Sequence, residues 1–203
     1  YMDMNCITGS LSSSFGSMTS MQYFYFAGTC LSGSFPSSFG GWTGALVIFL
    51  YNNFMTGSLP SSLGSMSSLV ALEIFSNQFD GTIPSSMALL TNLSAVRFQE
   101  NYFTGNLSLF TEHWAKLTIV QLYTNSFSGA IPLLGVAPGL SFYDVGDNAF
   151  SGSLPVFSSL LSLEYVDCSQ NAIFGTIPSS WGLVSNLSTV NVSSNADLCK
   201  LLC

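Results

Sequence analysis

Charged side chains are scarce in this sequence. Only 6% of its 203 residues are charged, whereas about 25% is usual for soluble domains. Arg97, Lys116 and Lys200 are the only strong cations, and the formal net charge is −7. Because binding to nucleic acid demands clustered lysine and arginine, this composition argues against a nucleic-acid partner.

Long apolar runs are also missing, although the mean hydropathy of +0.47 is high for a soluble protein. The longest uninterrupted apolar stretch, residues 45–51, is far short of the roughly 18 residues that a membrane-spanning helix needs. We therefore predict no transmembrane segment in this chain. No charged stretch followed by an apolar one opens the sequence, so we expect that any signal peptide has already been removed. The apolar side chains must be buried in the fold, buried in an assembly, or masked by an attached group.

Signals of catalysis and of metal binding are absent too. The sequence has no glycine-rich phosphate loop, no Ser-His-Asp set and no Cys/His metal spacing. Its single histidine, His113, lies between Glu112 and Trp114, and no nucleophile or second base occupies a matching position. We therefore predict that the protein is not an enzyme and uses no cofactor.

An internal repeat with a period of about 24 residues runs through the whole chain. Each repeat has a glycine, and an asparagine lies four residues before it, with Thr29 as the exception. Three apolar residues precede each asparagine, at minus eight, minus five and minus three; for Asn77 they are Leu69, Leu72 and Ile74. The recurring asparagines are Asn5, Asn53, Asn77, Asn101, Asn125, Asn148, Asn171 and Asn195.

The chemistry of one repeat predicts one coil of a solenoid. The residues at minus five and minus three alternate with variable ones, which is typical of a short strand that pairs with the next repeat about 4.8 Å away. The asparagine amide both donates and accepts, so stacked asparagines are expected to form an internal ladder that satisfies buried backbone groups. Thr29 offers only a hydroxyl and should be a weaker member. About nine coils at this spacing would form a rod roughly 40 Å long.

The repeat unit LxxLxLxxNxFxGxIPxxxGxxx resembles the plant-type leucine-rich repeat, and residues 69–87 (LVALEIFSNQFDGTIPSSM) match it closely. The resemblance implies an α/β repeat solenoid: a leucine-rich-repeat superhelix with a parallel β-sheet on the concave face and an irregular or 3-10 convex side. Residues 1–203 would be a single array of about eight repeats, the first of them truncated, and residues 195–203 would be a short cysteine-containing C-terminal cap. The sequence departs from the pattern at Thr29, Ser12 and Ser108.

In this family the outward residues of the strand form the usual ligand surface. They lie at minus six, minus four, minus two and minus one from the asparagine. Several are aromatic and clustered, which favours a contact surface for a partner over large side chains that merely cover a sheet. The candidate binding residues of this concave face are Tyr23, Tyr25, Phe49, Tyr51, Glu73, Phe75, Arg97, Gln121, Tyr123, Phe142, Asp144, Tyr165 and Asp167.

Charged residues on this face share one position of adjacent repeats. Glu73 and Arg97 are expected to pair, with a modest gain of about 0.2–1 kcal/mol. Asp144 and Asp167 also occupy this position, and Ca²⁺ takes oxygen ligands of their kind. Two solvated aspartates are the favoured interpretation. We therefore predict no metal site, with Asp144 and Asp167 as a weak calcium candidate.

Two pairs among the five cysteines are candidates for disulfide bonds. Cys6 and Cys30 hold the same position in adjacent coils, where in-register stacking would place their Cα atoms about 5 Å apart; whether they bond is left open. The ending NADLCKLLC resembles the terminal cap of plant-type repeats, and this resemblance implies a Cys199–Cys203 bond. Cys168 occupies a core leucine position and is expected to be a free, buried thiol.

The sequence has sequons for N-linked glycans at Asn92, Asn106, Asn186 and Asn191. They predict glycosylation if the protein is secreted. Attached sugar would keep a surface so poor in charge soluble.

The function predicted from these features is protein–protein contact at the cell surface or outside the cell. A glycosylated, self-assembling structural protein, such as a surface coat or filament, is favoured for three reasons. Charges that oppose association are nearly absent, aromatic residues crowd the concave face, and Met2 lies inside the first coil with no capping segment before it. The alternative is the ligand-recognition ectodomain of a receptor or adhesion protein. The expected partners are other protein chains, including copies of this one, with attached glycans.

Overall fold

The structure is a computed structural model that describes residue 5 and residues 7–110, 112–157 and 159–198. The chain winds into successive coils, which stack so that their strands form two parallel sheets. Strands are numbered below in chain order across both sheets.

The first sheet, which we call the concave sheet, lies just before the repeated asparagines and has eight parallel strands in the described residues. Equivalent residues of adjacent repeats face each other, so that Tyr23 is opposite Val47 and Phe142 is opposite Tyr165. Its strands are β2 (Tyr23–Tyr25), β4 (Val47–Phe49), β6 (Ala71–Glu73), β8 (Ala95–Arg97), β10 (Ile119–Gln121), β12 (Phe142–Asp144), β14 (Tyr165–Asp167) and β16 (Thr189–Asn191).

A second sheet, of nine parallel strands in the described residues, follows the asparagines. The resemblance implies an irregular or 3-10 convex side and does not predict this sheet. Residues paired across this sheet are not at equivalent positions of the repeat. Thr8 pairs with Cys30, whereas the residue equivalent to Thr8 in the next repeat is Ser32, so the register is displaced by two positions. The strands are β1 (Thr8–Ser10), β3 (Cys30–Gly33), β5 (Phe54–Ser58), β7 (Gln78–Thr82), β9 (Tyr102–Gly105), β11 (Ser126–Ala130), β13 (Ala149–Gly152), β15 (Asn171–Gly175) and β17 (Asn195–Leu198).

Short 3-10 helices complete most coils on the convex side. Where they stack, the Ser62 hydroxyl donates to the Ser37 carbonyl oxygen at 2.7 Å, and the Ser86 hydroxyl donates to that of Ser61 at 2.6 Å. We call these contacts the serine ladder. The described residues of 131–141 and 153–164 form no helix. The helices are Ser13–Ser17, Ser37–Gly41, Ser61–Ser65, Ser85–Leu89, Ser108–Phe110 and Ser179–Leu183.

Glycine within these helices allows them to pack closely. A methyl group on Gly64 would lie 2.4 Å from the carbonyl oxygen of Ser86 in the next coil, and one on Gly40 would lie 2.7 Å from that of Ser62. Real Cβ atoms do not approach so closely. The recurring Ser-Ser-x-Gly pattern therefore reflects contact between adjacent coils.

The apolar positions of the repeat fill the interior of each coil. Leu69, Leu72 and Ile74 are fully buried. The phenylalanines two residues after the asparagine stack into a spine, with ring centroids 6.0–6.2 Å apart from Phe79 to Phe150. Burial of these side chains is the main stabilising contribution to the fold.

Each repeated asparagine from Asn53 to Asn195 bonds the backbone of its own coil and of the coil before it. In Asn77 the Nδ2 atom donates to the carbonyl oxygens of Leu50, Ile74 and Phe75 at 2.9–3.2 Å. Its Oδ1 atom accepts the N–H of Met55 at 3.0 Å. A buried backbone group without a partner costs free energy, and one side chain here supplies partners for four such groups.

The residue immediately before the ladder asparagine turns the chain through the left-handed region. Its φ is between 49° and 58° at Asn52, Ser76, Glu100, Thr124, Asp147, Gln170 and Ser194. The motif glycine four residues after the asparagine has positive φ as well, for example 71° at Gly81. Each coil from that of Thr29 to that of Asn171 therefore makes two left-handed turns, one just before the ladder position and one four residues after it.

The remaining sequence predictions concern the disulfide bonds, the free thiol and membrane-spanning segments. Cys6, Cys199 and Cys203 lie outside the described residues, so the two proposed disulfides stay predictions; Cys30 is exposed. Cys168 is a free thiol and fully buried. Among the described helices, none combines the length and the hydropathy of a membrane-spanning segment.

Candidate binding surface

The candidate residues of the concave face lie on the strands of the concave sheet or directly after them. Tyr23 is 52% exposed, whereas Glu73 and Asp144 are buried. The others are half-buried, so their side chains cover the sheet while part of each remains accessible. They fall into an aromatic, a mixed polar and an acidic section, in chain order along the solenoid.

The aromatic section, which we call the aromatic patch, consists of Tyr23, Tyr25, Phe49, Tyr51 and Phe75. Their rings form a continuous series of contacts, with centroid distances of 6.4, 5.0, 5.9 and 4.5 Å. The last pair, Tyr51 and Phe75, is almost parallel, at 5°. Such pairs stabilise one another by about 0.5–1.5 kcal/mol beyond the area they bury, so the patch is held in shape before any partner binds.

The middle section contains an ion pair. Glu73 and Arg97 are register partners on β6 and β8, and their Oε1 and Nη1 atoms are 3.1 Å apart. Burial raises the pKa of Glu73, and the attraction of Arg97 opposes that rise without cancelling it. The Nε atom of Arg97 is buried and has no hydrogen-bond partner. Because the two opposite charges cancel, the pair contributes little electrostatic potential to the concave face.

Two polar residues of this section were not among the sequence-predicted candidates. Gln99 is 4% exposed, and its Oε1 atom has no hydrogen-bond partner. Glu100 accepts hydrogen bonds from the hydroxyls of Ser76 and Tyr123. The pKa of Tyr123 is raised, first by burial and then by Glu100 and Asp144. Gln99 and Glu100 hold the minus-two and minus-one positions, which mark outward residues, so the repeat phase alone could have found them.

The acidic section is built around Gly146. Asp144 and Asp167 are register partners, and a methyl group on Gly146 would lie 3.3 and 3.1 Å from their Oδ1 atoms. A depression of about 190 Å³ opens here, lined also by Tyr123 and Asp147. The ring of Phe142 stacks on that of Tyr165 beside it, with centroids 4.2 Å apart.

Burial sets the charge state of Asp144. Loss of solvent raises the pKa of Asp144 from 3.8 to about 6. The Gly146 N–H donates to the Oδ1 atom of Asp144 at 3.1 Å and opposes this rise. The nearby negative charge of Asp167 adds to the rise. The interpretation of both residues as solvated aspartates is therefore wrong for Asp144, because the sheet and its neighbours cover this carboxylate.

The calcium candidate of Asp144 and Asp167 stays a prediction, and the described side chains offer it few ligands. Ca²⁺ takes six to eight oxygen ligands, and no group of three or more His, Cys, Asp or Glu side chains in the described residues is placed to hold a metal. The oxygens of Asp167 already accept hydrogen bonds from the Ser169 N–H and hydroxyl and from the Asn191 amide, at 2.6–2.8 Å. These neutral donors stabilise the Asp167 carboxylate without a metal ion and leave its negative charge in place.

The four sequons differ in their surroundings. Asn106 and Asn186 are exposed, whereas Asn92 and Asn191 are half-buried. Asn191 lies at the acidic end of the concave sheet, beside Asp167, and the other three lie off that sheet.

Comparison with known proteins gives matches of structure. No protein-family model and no curated protein matches the sequence. The leucine-rich-repeat ectodomain of the Arabidopsis thaliana membrane receptor kinase GASSHO1/SCHENGEN3, in complex with CASPARIAN STRIP INTEGRITY FACTOR 2, is similar with a TM-score of 0.89 and 30% identity over 94% of this chain. The plant peptide hormone receptor RGFR1, in complex with RGF2, is similar with a TM-score of 0.93 and 28% identity over 97% of this chain.

These relatives are much longer than the present chain, which covers 23% of the first and 32% of the second. An internalin from Listeria monocytogenes is also similar, with a TM-score of 0.76 and 22% identity over 95% of this chain and 54% of that one. At this identity the likeness shows the fold alone.

Proposed function

We infer that this chain, which is a leucine-rich-repeat solenoid of the plant type, binds a protein or peptide ligand on its concave sheet as part of a non-enzymatic extracellular protein. Both plant structures described above are complexes, and one of them is a peptide hormone receptor.

The aromatic patch is the observation that carries the proposal. Its five rings touch in series and remain partly exposed. Contiguous apolar surface of this kind marks interaction sites, and tyrosine is among the residues that contribute most to binding. Because the rings already pack on one another, binding would cost little ordering of side chains.

The order of the sections suggests the chemistry of the ligand. Apolar side chains would lie on the aromatic patch, and a cationic group would lie near Asp144 and Asp167. Phe49 and Asp144 hold the same position four repeats apart, which corresponds to about 19 Å at the usual strand spacing. An extended peptide of about six residues covers this distance. We therefore propose an extended ligand with an apolar end and a basic end.

Self-assembly into a coat or filament, which the sequence analysis favoured, has no support from the comparisons. The two plant structures named above are receptors with a bound partner, and this supports the recognition alternative instead. The scarcity of charge and the aromatic residues on the concave face, which suggested assembly, are equally expected of a surface that binds another chain.

A peptide selection tests the proposal. The purified chain is panned against a random peptide library displayed on phage, and the affinity of a selected peptide is measured by calorimetry. Phe75→Ala should weaken binding at least about tenfold, or about 1.4 kcal/mol. Tyr102→Ala is the matched control, because Tyr102 is 63% exposed but lies on the second sheet. An equal loss in both variants, or light scattering that shows only concentration-dependent multimers, would contradict the proposal.

A further inference from the structure

An exposed apolar stripe interrupts the convex side of the solenoid. Eight residues after the ladder position most coils carry serine: Ser13, Ser37, Ser61, Ser85 and Ser179. Three consecutive coils carry Leu109, Leu133 and Val156 instead, and these side chains are 62%, 41% and 51% exposed. We call these three residues the apolar stripe.

The stripe coincides with a change in the local backbone. The 3-10 helix shortens to Ser108–Phe110 in the first of these coils, and the described residues of the next two coils form no helix there. The serine ladder ends at the Ser86–Ser61 contact, one coil before the stripe. The regular polar contacts are therefore lost in the three coils that expose apolar side chains. Apolar side chains exposed at the same position of three adjacent coils mark a surface that a covering group would fit.

A sequon lies beside this stripe. Asn106 is exposed and precedes Leu109 by three residues. Its Oδ1 atom accepts the N–H of Ser108, the third residue of the sequon, at 2.6 Å. This turn fixes the amide locally. The Nδ2 atom points along the solenoid towards Gly129 of the next coil, since a methyl group there would come within 2.9 Å of it. That next coil is the one that carries Leu133.

The amide nitrogens of the other three sequons are already bonded within the structure. Asn92 donates to the Ser67 carbonyl oxygen at 2.9 Å, and Asn186 donates to that of Leu161 at 3.0 Å. Asn191 donates to Asp167 at 2.7 Å, on the concave sheet. Of the four sequons, all in the described part of the chain, Asn106 alone has an Nδ2 atom without such a bond.

We propose that Asn106 carries an N-linked glycan that covers the apolar stripe, while Asn191 stays unmodified and leaves the concave sheet open. This inference relies on the extracellular location in the proposed function. In the transfer, the Asn106 Nδ2 atom forms a bond to C1 of a sugar carried on a lipid pyrophosphate. The bond from C1 to the pyrophosphate oxygen breaks, and the amide loses one proton and keeps one N–H.

The glycan fits this place chemically. A sugar ring has C–H groups on its faces and hydroxyls at its rim, so it can lie over leucine side chains and present polar groups to water. At Asn191, by contrast, a glycan would disturb the donor that satisfies Asp167. Asp167 would then rely mainly on the Ser169 N–H and hydroxyl. Because a weakened hydrogen bond to a partly buried carboxylate is costly, a folded chain with a glycan at Asn191 is less stable than one without it.

Site occupancy is the first test. The chain is secreted from insect cells behind a heterologous signal peptide, and the folded monomer is isolated by size exclusion. Glycans are then removed enzymatically in heavy-oxygen water, which labels each former glycan site for peptide mass spectrometry. Asn106 should be occupied in most molecules and Asn191 in few. An unmodified Asn106, or equal occupancy at Asn191, overturns the proposal.

Exposure of the stripe is the second test. Enzymatic removal of glycans from the folded protein should raise the fluorescence of a dye that binds apolar surface, and the variant Leu109→Ser/Leu133→Ser should lose most of that rise. Leu183→Ser is the control, because Leu183 is 70% exposed but lies outside the stripe. A rise that survives in the stripe variant refutes the covering role. Removal of the glycan should not change the affinity of the concave sheet for the selected peptide. If Asn106 is glycosylated but the chain binds no peptide, the proposed function is contradicted and the glycan proposal is not.

Discussion

At the scale of single residues, the side chain at the ladder position decides how well a coil is joined to its neighbour. Asn77 bonds four backbone groups. Thr29 bonds only the Phe26 carbonyl oxygen and the Asn53 Oδ1 atom through its hydroxyl. A hydroxyl has one donor whereas an amide has two, and each such bond contributes about 0.5–1.5 kcal/mol. Asparagine therefore recurs because its amide has two donor hydrogens for the backbone carbonyl oxygens and an oxygen that accepts an N–H, whereas a hydroxyl has one donor.

Asp144 gives a prediction at the same scale. Its pKa is raised from 3.8 to about 6 in the folded protein, so between those values the folded chain holds a proton that the unfolded chain has lost. Stability therefore falls as pH rises from about 4 to about 6 and stays reduced above that range. Asp144→Asn, which keeps an oxygen for the Gly146 N–H, should raise the free energy of unfolding at neutral pH by about 1–2 kcal/mol after allowance for solvent screening.

Urea unfolding of both proteins across the acidic range measures this effect. The gain should shrink as pH falls and vanish below about pH 3, where Asp144 is protonated in both states. Asp80→Asn, at an exposed residue of the second sheet, controls for the change in net charge. If Asp144→Asn raises the free energy of unfolding by the same amount at the lowest pH, burial of the Asp144 charge is not the cause of the increase.

At the scale of elements, contact between adjacent 3-10 helices determines which small residues the repeat requires. Gly64 lies against the backbone of Ser86, whereas Gly182 has nothing within 4 Å of its would-be methyl group. Neither glycine has positive φ, so backbone strain does not separate them. Ala88 holds the same position in the coil before the shortened helix Ser108–Phe110, where the close contact of the regular helices is lost.

This contrast yields a matched pair of variants. Gly64→Ala should lower the free energy of unfolding by about 1–3 kcal/mol, because the backbone of the next coil must move to admit the methyl group. Gly182→Ala should change it by less than about 0.5 kcal/mol. Chemical denaturation followed by circular dichroism measures both. Similar losses in the two variants would mean that helix stacking is not the reason for the glycine.

At the scale of the whole molecule, uncharged contacts hold the solenoid together. The only ion pair among the described residues is Glu73–Arg97. It contributes little net stability, because the burial of Glu73 offsets the attraction of Arg97. The coils are joined instead by the apolar interior, by the two sheets and by the asparagine ladder, all of which are insensitive to screening of charges.

Stability should therefore depend only weakly on salt. Between about 0.05 and 0.5 M sodium chloride the melting temperature should shift by less than about 2 °C, although the Debye length falls severalfold over that range. Differential scanning calorimetry of the monomer provides the measurement. A decrease of more than about 5 °C would indicate electrostatic contacts outside the described residues or a larger contribution from Glu73–Arg97 than its geometry suggests.

The sequence by itself determined the solenoid, the phase of every coil and the inward or outward direction of most side chains. This was possible because the period places the same chemistry at the same position in each repeat, so one local unit such as residues 69–87 describes all the others. The concave-face residues followed from phase alone, as did the register pairing of Glu73 with Arg97.

Only the tertiary structure decided how one coil lies on the next. The second sheet with its displaced register, the serine ladder and the buried carboxylate of Asp144 all arise between residues of different coils. The continuous contact of the aromatic rings and the exposure of Leu109, Leu133 and Val156 have the same origin. The repeat period predicts that the coils stack, but it does not specify these contacts, because they join atoms of one repeat to atoms of another.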